Sequence, residues 1–122
     1  MKTLKLFLSF IIAIGLGINS FAQTHDHSKI KIDSVRTESF KVLGKCDMCR
    51  TRIENAAKAE GAESASWDSE TQILTVSYNP SETNKDAISK KLASAGHDTE
   101  AHRTPDDVYA KLPACCHYER NK

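Results

Sequence analysis

The chain is short of the residues that build large cores and of the patterns that build catalytic sites. It holds four phenylalanines, three tyrosines and one tryptophan in 122 residues. Phe7, Phe10 and Phe21 fall within the first 22 positions, which leaves Phe40, Trp67, Tyr78, Tyr109 and Tyr118 as the aromatics of a fold. A domain this small buries a modest fraction of its surface and is marginal unless a metal or a disulfide supports it. Net charge is scarce as well. The chain carries +1, and −1 once residues 1–22 are set aside, because that stretch holds Lys2 and Lys5 and no acid. No basic footprint for nucleic acid and no attraction to an anionic membrane surface follow from such a balance. There is no Gly-rich phosphate loop, and the Ser, His and acidic residues lack the spacing of a triad. The expectation is a protein that is not an enzyme.

Long hydrophobic runs are limited to one. Leu6 to Ile18 is apolar apart from Ser9, Gly15 and Gly17, it follows two lysines, and Ser20-Phe21-Ala22 reads as a small-x-small cleavage site. Residues 1–22 are therefore expected to be a secretory signal peptide, with an uncleaved anchor as the alternative. The mature chain would be periplasmic or secreted, with no stable membrane insertion. Residues 23–36 are polar and aperiodic and read as a flexible arm. Cleavage after Ala22 makes His25 the third mature residue. A free amine, two amides and that imidazole can wrap Cu(II) or Ni(II) in a plane, and His27 adds another donor. A solvated tail whose histidines bind nothing is the rival reading.

Four cysteines are present, in two close pairs. Cys46 and Cys49 form a Cys-x-x-Cys pair, and Cys115 and Cys116 are adjacent. Neither pair looks like a staple across a long loop, although an exported chain permits disulfides and cross-pairing of the two clusters stays open. Cys46-Asp47-Met48-Cys49 follows the alternation Phe40-x-Val42 and opens a helical pattern, Ile53, Ala56, Ala57. The two thiols then sit at a helix N-terminus, where free N–H groups and the macrodipole favour the thiolate. Thiolate pairs suit Cu(I), Hg(II) and Zn(II).

The remaining pattern predicts a strand near 37–43 and a helix over 49–60 ended by Gly61. A second strand carries Ala65 and Trp67, and a third carries Leu74, Val76 and Tyr78. A second helix is capped by Thr83, with Asp86 three residues on, and is closed by Gly96. A weak fourth strand spans His97 to Arg103. This order, β-α-β-β-α-β, is the ferredoxin-like split pattern of an α+β open sandwich. It places a domain at 37–103, followed by a tail at 104–122. In the tail Pro105 opens a short helix bearing Val108, Tyr109 and Leu112, and Pro113 stops it.

Gly44-x-Cys46-x-x-Cys49, Ile53-Glu54, Gly61-Ala62-Glu63-Ser64-Ala65, Leu74-x-Val76-x-Tyr78 and Ala95-Gly96-His97 together resemble the heavy-metal-associated domain family. That family includes copper chaperones and the periplasmic mercury-binding protein, and the resemblance covers about 38–103. It implies a βαββαβ sandwich, surface-exposed metal binding by Cys46 and Cys49, and transfer of the ion to a partner by ligand exchange. The expected cargo is Cu(I), with Hg(II) or Zn(II) as variants, and the expected partner is a metal transporter or another metal-binding protein. Gly44 stands where the family usually has a buried Met. His97 stands in a loop that lies beside the metal site in the family fold, and could be a third ligand or could hydrogen-bond a thiolate; an ordinary surface histidine is the alternative. Cys115, Cys116 and His117 are of the right type to extend the site if Tyr109 and Leu112 dock the tail.

Two further readings use the same thiols. A thiol–disulfide exchange protein would attack with Cys46 and resolve with Cys49. It is disfavoured by the short chain and by Pro80, Pro105 and Pro113, none of which fits the loop facing a thioredoxin motif. A stapled domain with no metal function is the other.

Overall fold

The clearest alternation in the sequence forms the centre of the sheet. The computed structural model describes residues 34–120. The signal peptide expected at 1–22, His25, His27 and most of the 23–36 arm lie outside the described residues. β1 (Arg36–Lys41), β2 (Ala62–Asp68) and β3 (Ile73–Tyr78) make an antiparallel sheet in the order β1-β3-β2. Leu74, Val76 and Tyr78 of β3 point to one side and are buried, as period-2 alternation on a half-covered sheet requires. Phe40 pairs with Leu74 from one side and Trp67 from the other, so the largest side chains share one level of the core.

Two helices cover that face. α1 (Asp47–Ala59) buries Cys49, Ile53, Ala56 and Ala57, and α2 (Lys85–Ser94) buries Ile88, Ser89, Leu92 and Ala93. Both are closed by glycines in the left-handed region, Gly61 at φ 107° and Gly96 at φ 111°, a conformation other residues adopt at a cost. The start of α2 differs from expectation. Asn84, not Thr83, is the cap: its side-chain oxygen accepts from the Ala87 N–H at 2.9 Å. Thr83 is instead buried, with its own N–H donated to the Asn79 carbonyl. An Asn carbonyl is as good a cap as a Thr hydroxyl, and here the chain direction put it in place.

The architecture is α+β and ferredoxin-like, with its last strand reduced to a single bridge. The strand expected over His97–Arg103 is one antiparallel pairing, Val42 with Thr99. The reason is local. The Thr99 N–H donates to the His102 carbonyl at 2.8 Å, the His102 N–H donates to the Thr99 hydroxyl at 3.0 Å, and the Thr104 N–H donates to the Asp98 carboxylate at 2.7 Å. Side chains that satisfy the backbone of a turn compete with a ladder, and here they win.

The tail is packed rather than free. α3 (Asp106–Ala110) follows Pro105, which is its cap rather than its first residue, and a 3-10 turn spans Ala114–Cys116. Leu112, Cys116 and Tyr118 join the same buried cluster as the sheet and helices. Among the described residues no helix is long and apolar enough to cross a membrane.

Candidate metal centre

The thiol loop connects β1 to α1 and is held from three sides. Gly44 lies against the Trp67 indole so closely that a side chain there would begin 2.8 Å from the ring. This is the physical reason for glycine at that position: the tryptophan of β2 occupies the space. Trp67 Nε1 donates to the Val42 carbonyl at 3.0 Å, and Gln72 Nε2 donates to the Gly44 carbonyl at 2.6 Å. From below, His97 Nδ1 meets the Leu43 carbonyl at 3.0 Å, and the Leu43 N–H donates to the Asp98 carbonyl at 2.8 Å. The loop therefore enters α1 with little freedom left in its backbone.

Cys46 takes the cap position of α1 in extended conformation, and Cys49 falls in the first turn. Cys49 is fully buried and Cys46 half-buried. The expectation of a surface-exposed pair is thus corrected: one of its two cysteines is fully buried and the other is only partly exposed. The Cys46 and Cys49 sulfurs lie 3.6 Å apart, and Cys116 brings a third to 3.7 Å from Cys46. All three sulfurs lie within 4.8 Å of one another, the one group of three ligand-type side chains found together among the described residues. All four cysteines are free thiols, so neither a Cys46–Cys49 bridge nor a cross-bridge to the tail is formed.

The other residues singled out from the sequence go elsewhere. His97 is not a surface residue and is not gathered with the sulfurs. It is fully buried, and it stacks on Tyr118 with ring centroids 5.9 Å apart. Burial holds its imidazole below the usual value, and Nε2 has no partner. Its contact with Leu43 makes it a support for the loop. His117 is exposed and stacks on Tyr109 at 5.1 Å. Cys115 is exposed, and its sulfur lies 3.8 Å from that of Met48, itself 51% exposed. Neither Cys115 nor His117 belongs to the three-sulfur group. Arg50, beside the pair in the first turn of α1, donates to the Trp67 carbonyl at 3.2 Å and pairs with Asp47 at 3.5 Å. The sequence contained no signal for Gln72 or for the Trp67–Gly44 contact, because both depend on how β2 and β3 lie beside the loop.

The thiols are unequal. Burial opposes the Cys46 thiolate, but hydrogen bonding from the Cys49 backbone and from the thiols of Cys115, Cys49 and Cys116 outweighs it and lowers Cys46 to about 7. The hydrogen bond to the Cys46 sulfur holds the Cys115 proton in place, and burial pushes Cys116 well up. A thiolate is the reactive form. In reduced metal-free protein, iodoacetamide should therefore label Cys46 before the more exposed Cys115, with a rate midpoint near pH 7. Peptide mapping by mass spectrometry reads the order, and first labelling of Cys115 at pH 7 would contradict it.

The family model for the heavy-metal-associated domain matches residues 45–98. A copper-exporting P-type ATPase of Staphylococcus saprophyticus is 36% identical over 66 residues, which are 52% of this chain and 8% of that protein. The chain thus spans less than a tenth of that relative's length. Among solved structures, the water-soluble region of the P-type ATPase CopA from Bacillus subtilis is 30% identical with a TM-score of 0.50, covering 53% of this chain and 44% of that one. A CopZ metallochaperone is 24% identical with a TM-score of 0.50, covering 52% of this chain and 98% of that one, a likeness that bears on the fold.

Proposed function

We propose, from the match of residues 45–98 to the heavy-metal-associated domain, that this protein binds Cu(I) through Cys46 and Cys49 and hands it to a partner by ligand exchange. The observation that carries the reading is the pair itself: two sulfurs 3.6 Å apart at the start of α1, one of them with a pKa of about 7 and half-buried. Thiolates are soft donors, and Cu(I) accepts two or three of them, whereas a structural zinc site completes four ligands. The three-sulfur group includes no imidazole or carboxylate among the described residues. Copper also figures in the names of the similar proteins, a copper-exporting ATPase among them. Hg(II) suits the same donors and is the close variant.

Transfer follows from the partial exposure of Cys46. An incoming thiolate adds to the ion before Cys46 leaves, so no free Cu(I) forms. A metal transporter or a second metal-binding protein would supply that thiolate. The N-terminal composition supports export to the periplasm or the medium. A second reading, thiol–disulfide exchange, is favoured by one observation: Cys46 has thiol neighbours at 3.6 and 3.7 Å.

Anaerobic Cu(I) titration of the reduced protein against a Cu(I) chelator tests the proposal. One tight equivalent is expected, lost in Cys46→Ser. Absence of a tight equivalent in the wild type, with reduction of an insulin disulfide by the same sample, would establish the exchange reading instead.

A further inference from the structure

We infer that Cys116 is a third sulfur ligand and that the docked segment 104–120 is a latch that retains the ion. This rests on the reading of Cys46 and Cys49 as the metal pair and deepens it. The first argument is distance. Metal–thiolate bonds of about 2.3 Å put the sulfurs of a trigonal site about 4.0 Å apart and those of a linear two-ligand site about 4.6 Å apart. The Cys46–Cys49 and Cys46–Cys116 separations are 3.6 and 3.7 Å, and no separation in the group exceeds 4.8 Å. A linear site would require Cys46 and Cys49 to open by about an ångström. A three-sulfur site needs the two separations at Cys46 to open by only a few tenths, and it uses a sulfur already in place.

The second argument is that the position of Cys116 is built. Its N–H donates to the Pro113 carbonyl at 2.8 Å, closing the 3-10 turn that aims the sulfur inward. On one side Leu112 seats against Gly96, whose missing side chain would begin 2.6 Å from a Leu112 methyl. On the other, the Tyr118 hydroxyl donates to the Gly96 carbonyl at 2.7 Å and accepts from the Asp98 N–H at 2.9 Å. Arg120 then clamps the end of the tail, with two hydrogen bonds of 2.8 Å to the Asp98 carboxylate and one of 2.5 Å to the Thr104 carbonyl. The anchors at Leu112, Tyr118 and Arg120 all grip the segment between α2 and α3, outside the sulfur cluster. A cysteine serving only as a small apolar residue would need none of this precision, and Ala would fill its place.

The consequence concerns the rate of transfer. When the ion binds, the Cys116 thiol gives its proton to solvent as its metal–sulfur bond forms. The flank that a two-ligand Cu(I) leaves open to a partner is then closed by the protein's own tail. Hand-off requires Cys116 to be displaced, and that displacement is easier when the tail lifts from Gly96 and Asp98. The domain so equipped holds its cargo longer than a bare Cys-x-x-Cys domain, and the Asp98–Arg120 clamp sets how long.

The test compares wild type, Cys116→Ala and Arg120→Ala, each reduced and loaded with one Cu(I). X-ray absorption should count three sulfurs at the ion in wild type and two in Cys116→Ala. Affinity against a Cu(I) chelator should fall in Cys116→Ala by at least the ~10–100-fold that loss of a mere supporting group costs a metal site. Arg120→Ala keeps every sulfur. It should keep one equivalent while releasing copper to the chelator about tenfold faster, the scale of a lost supporting interaction. If Cys116→Ala does not fold, the sulfur count in wild type and the release rate of Arg120→Ala still decide. Two sulfurs in wild type with unchanged affinity in Cys116→Ala would overturn the inference and leave the Cys46–Cys49 reading standing. An unchanged release rate in Arg120→Ala would overturn the latch. No tight copper in the wild type would overturn both readings.

Discussion

Asp98→Ala is expected to lower the unfolding free energy by about 3 kcal/mol, the lower end of the range for breaking a buried ion pair by removing one partner. The Asp98 side chain is 8% exposed and that of Arg120 11%, so the pair is held largely away from water. Asp98 accepts two hydrogen bonds from Arg120 and one from the Thr104 N–H. Removing the carboxylate leaves a guanidinium stacked on the Tyr109 ring at 4.7 Å, with Asp106 as its remaining acid at 2.7 Å. That surviving partner is why the lower end of the range applies. For a domain of this size each kcal/mol moves the midpoint by about 4–8 °C, so a fall of roughly 12–24 °C is expected by calorimetry. A loss below about 1 kcal/mol would show that the tail contributes little to the folded state.

The pH dependence has a definite sign. Burial raises the Asp98 carboxyl, but the Arg120 and Thr104 hydrogen bonds and the Arg120 charge outweigh it and hold the group below its ordinary value of 3.8. A carboxyl with a depressed folded pKa stabilises the fold above its unfolded pKa and loses that contribution as pH falls through the folded one. Wild type should therefore lose stability as pH drops below about 4, and the Asp98→Asn variant should lose less over the same interval.

Trp67→Ala should cost about 3–5 kcal/mol, the range for truncating a large buried aromatic. Trp67 is 2% exposed, pairs with Leu74 across the sheet and touches Gly44. Its loss also leaves the Val42 carbonyl without its 3.0 Å donor. The effect reaches the site because the indole is the wall behind the loop that leads to Cys46. Urea unfolding at pH 7 measures the cost. Trp67→Phe, which retains most of the volume, should lose well under half as much. Equal losses in the two variants would assign the effect to the indole N–H rather than to packing.

Much of this was legible in the chain because it depends on neighbours in sequence. The alternation of Leu74, Val76 and Tyr78 specified β3, and the spacing of Ile53, Ala56 and Ala57 specified the inner face of α1. Glycines at 61 and 96 marked helix ends because a left-handed residue is required there. The placing of Cys46 and Cys49 at a helix start followed from the same local signals. Misreadings arose where two local options were nearly equal. Thr83 and Asn84 are both good caps, and the segment after Gly96 has the composition of a weak strand.

What the sequence by itself determined, then, is the element order, the apolar faces and the junction that presents the Cys-x-x-Cys pair, since each is set within a few residues by backbone preference and periodicity. The tertiary structure alone decided which distant groups meet that junction. Cys116 lies 70 residues from Cys46, and its approach depends on Gly96, Asp98 and Tyr118 holding the tail at once. His97 and Cys116 were both plausible third donors by type. Burial against Tyr118 turned the imidazole toward Leu43, and the 3-10 turn brought the sulfur in. Contacts of that kind are sums of many weak packing terms over long loops, and no local pattern encodes them.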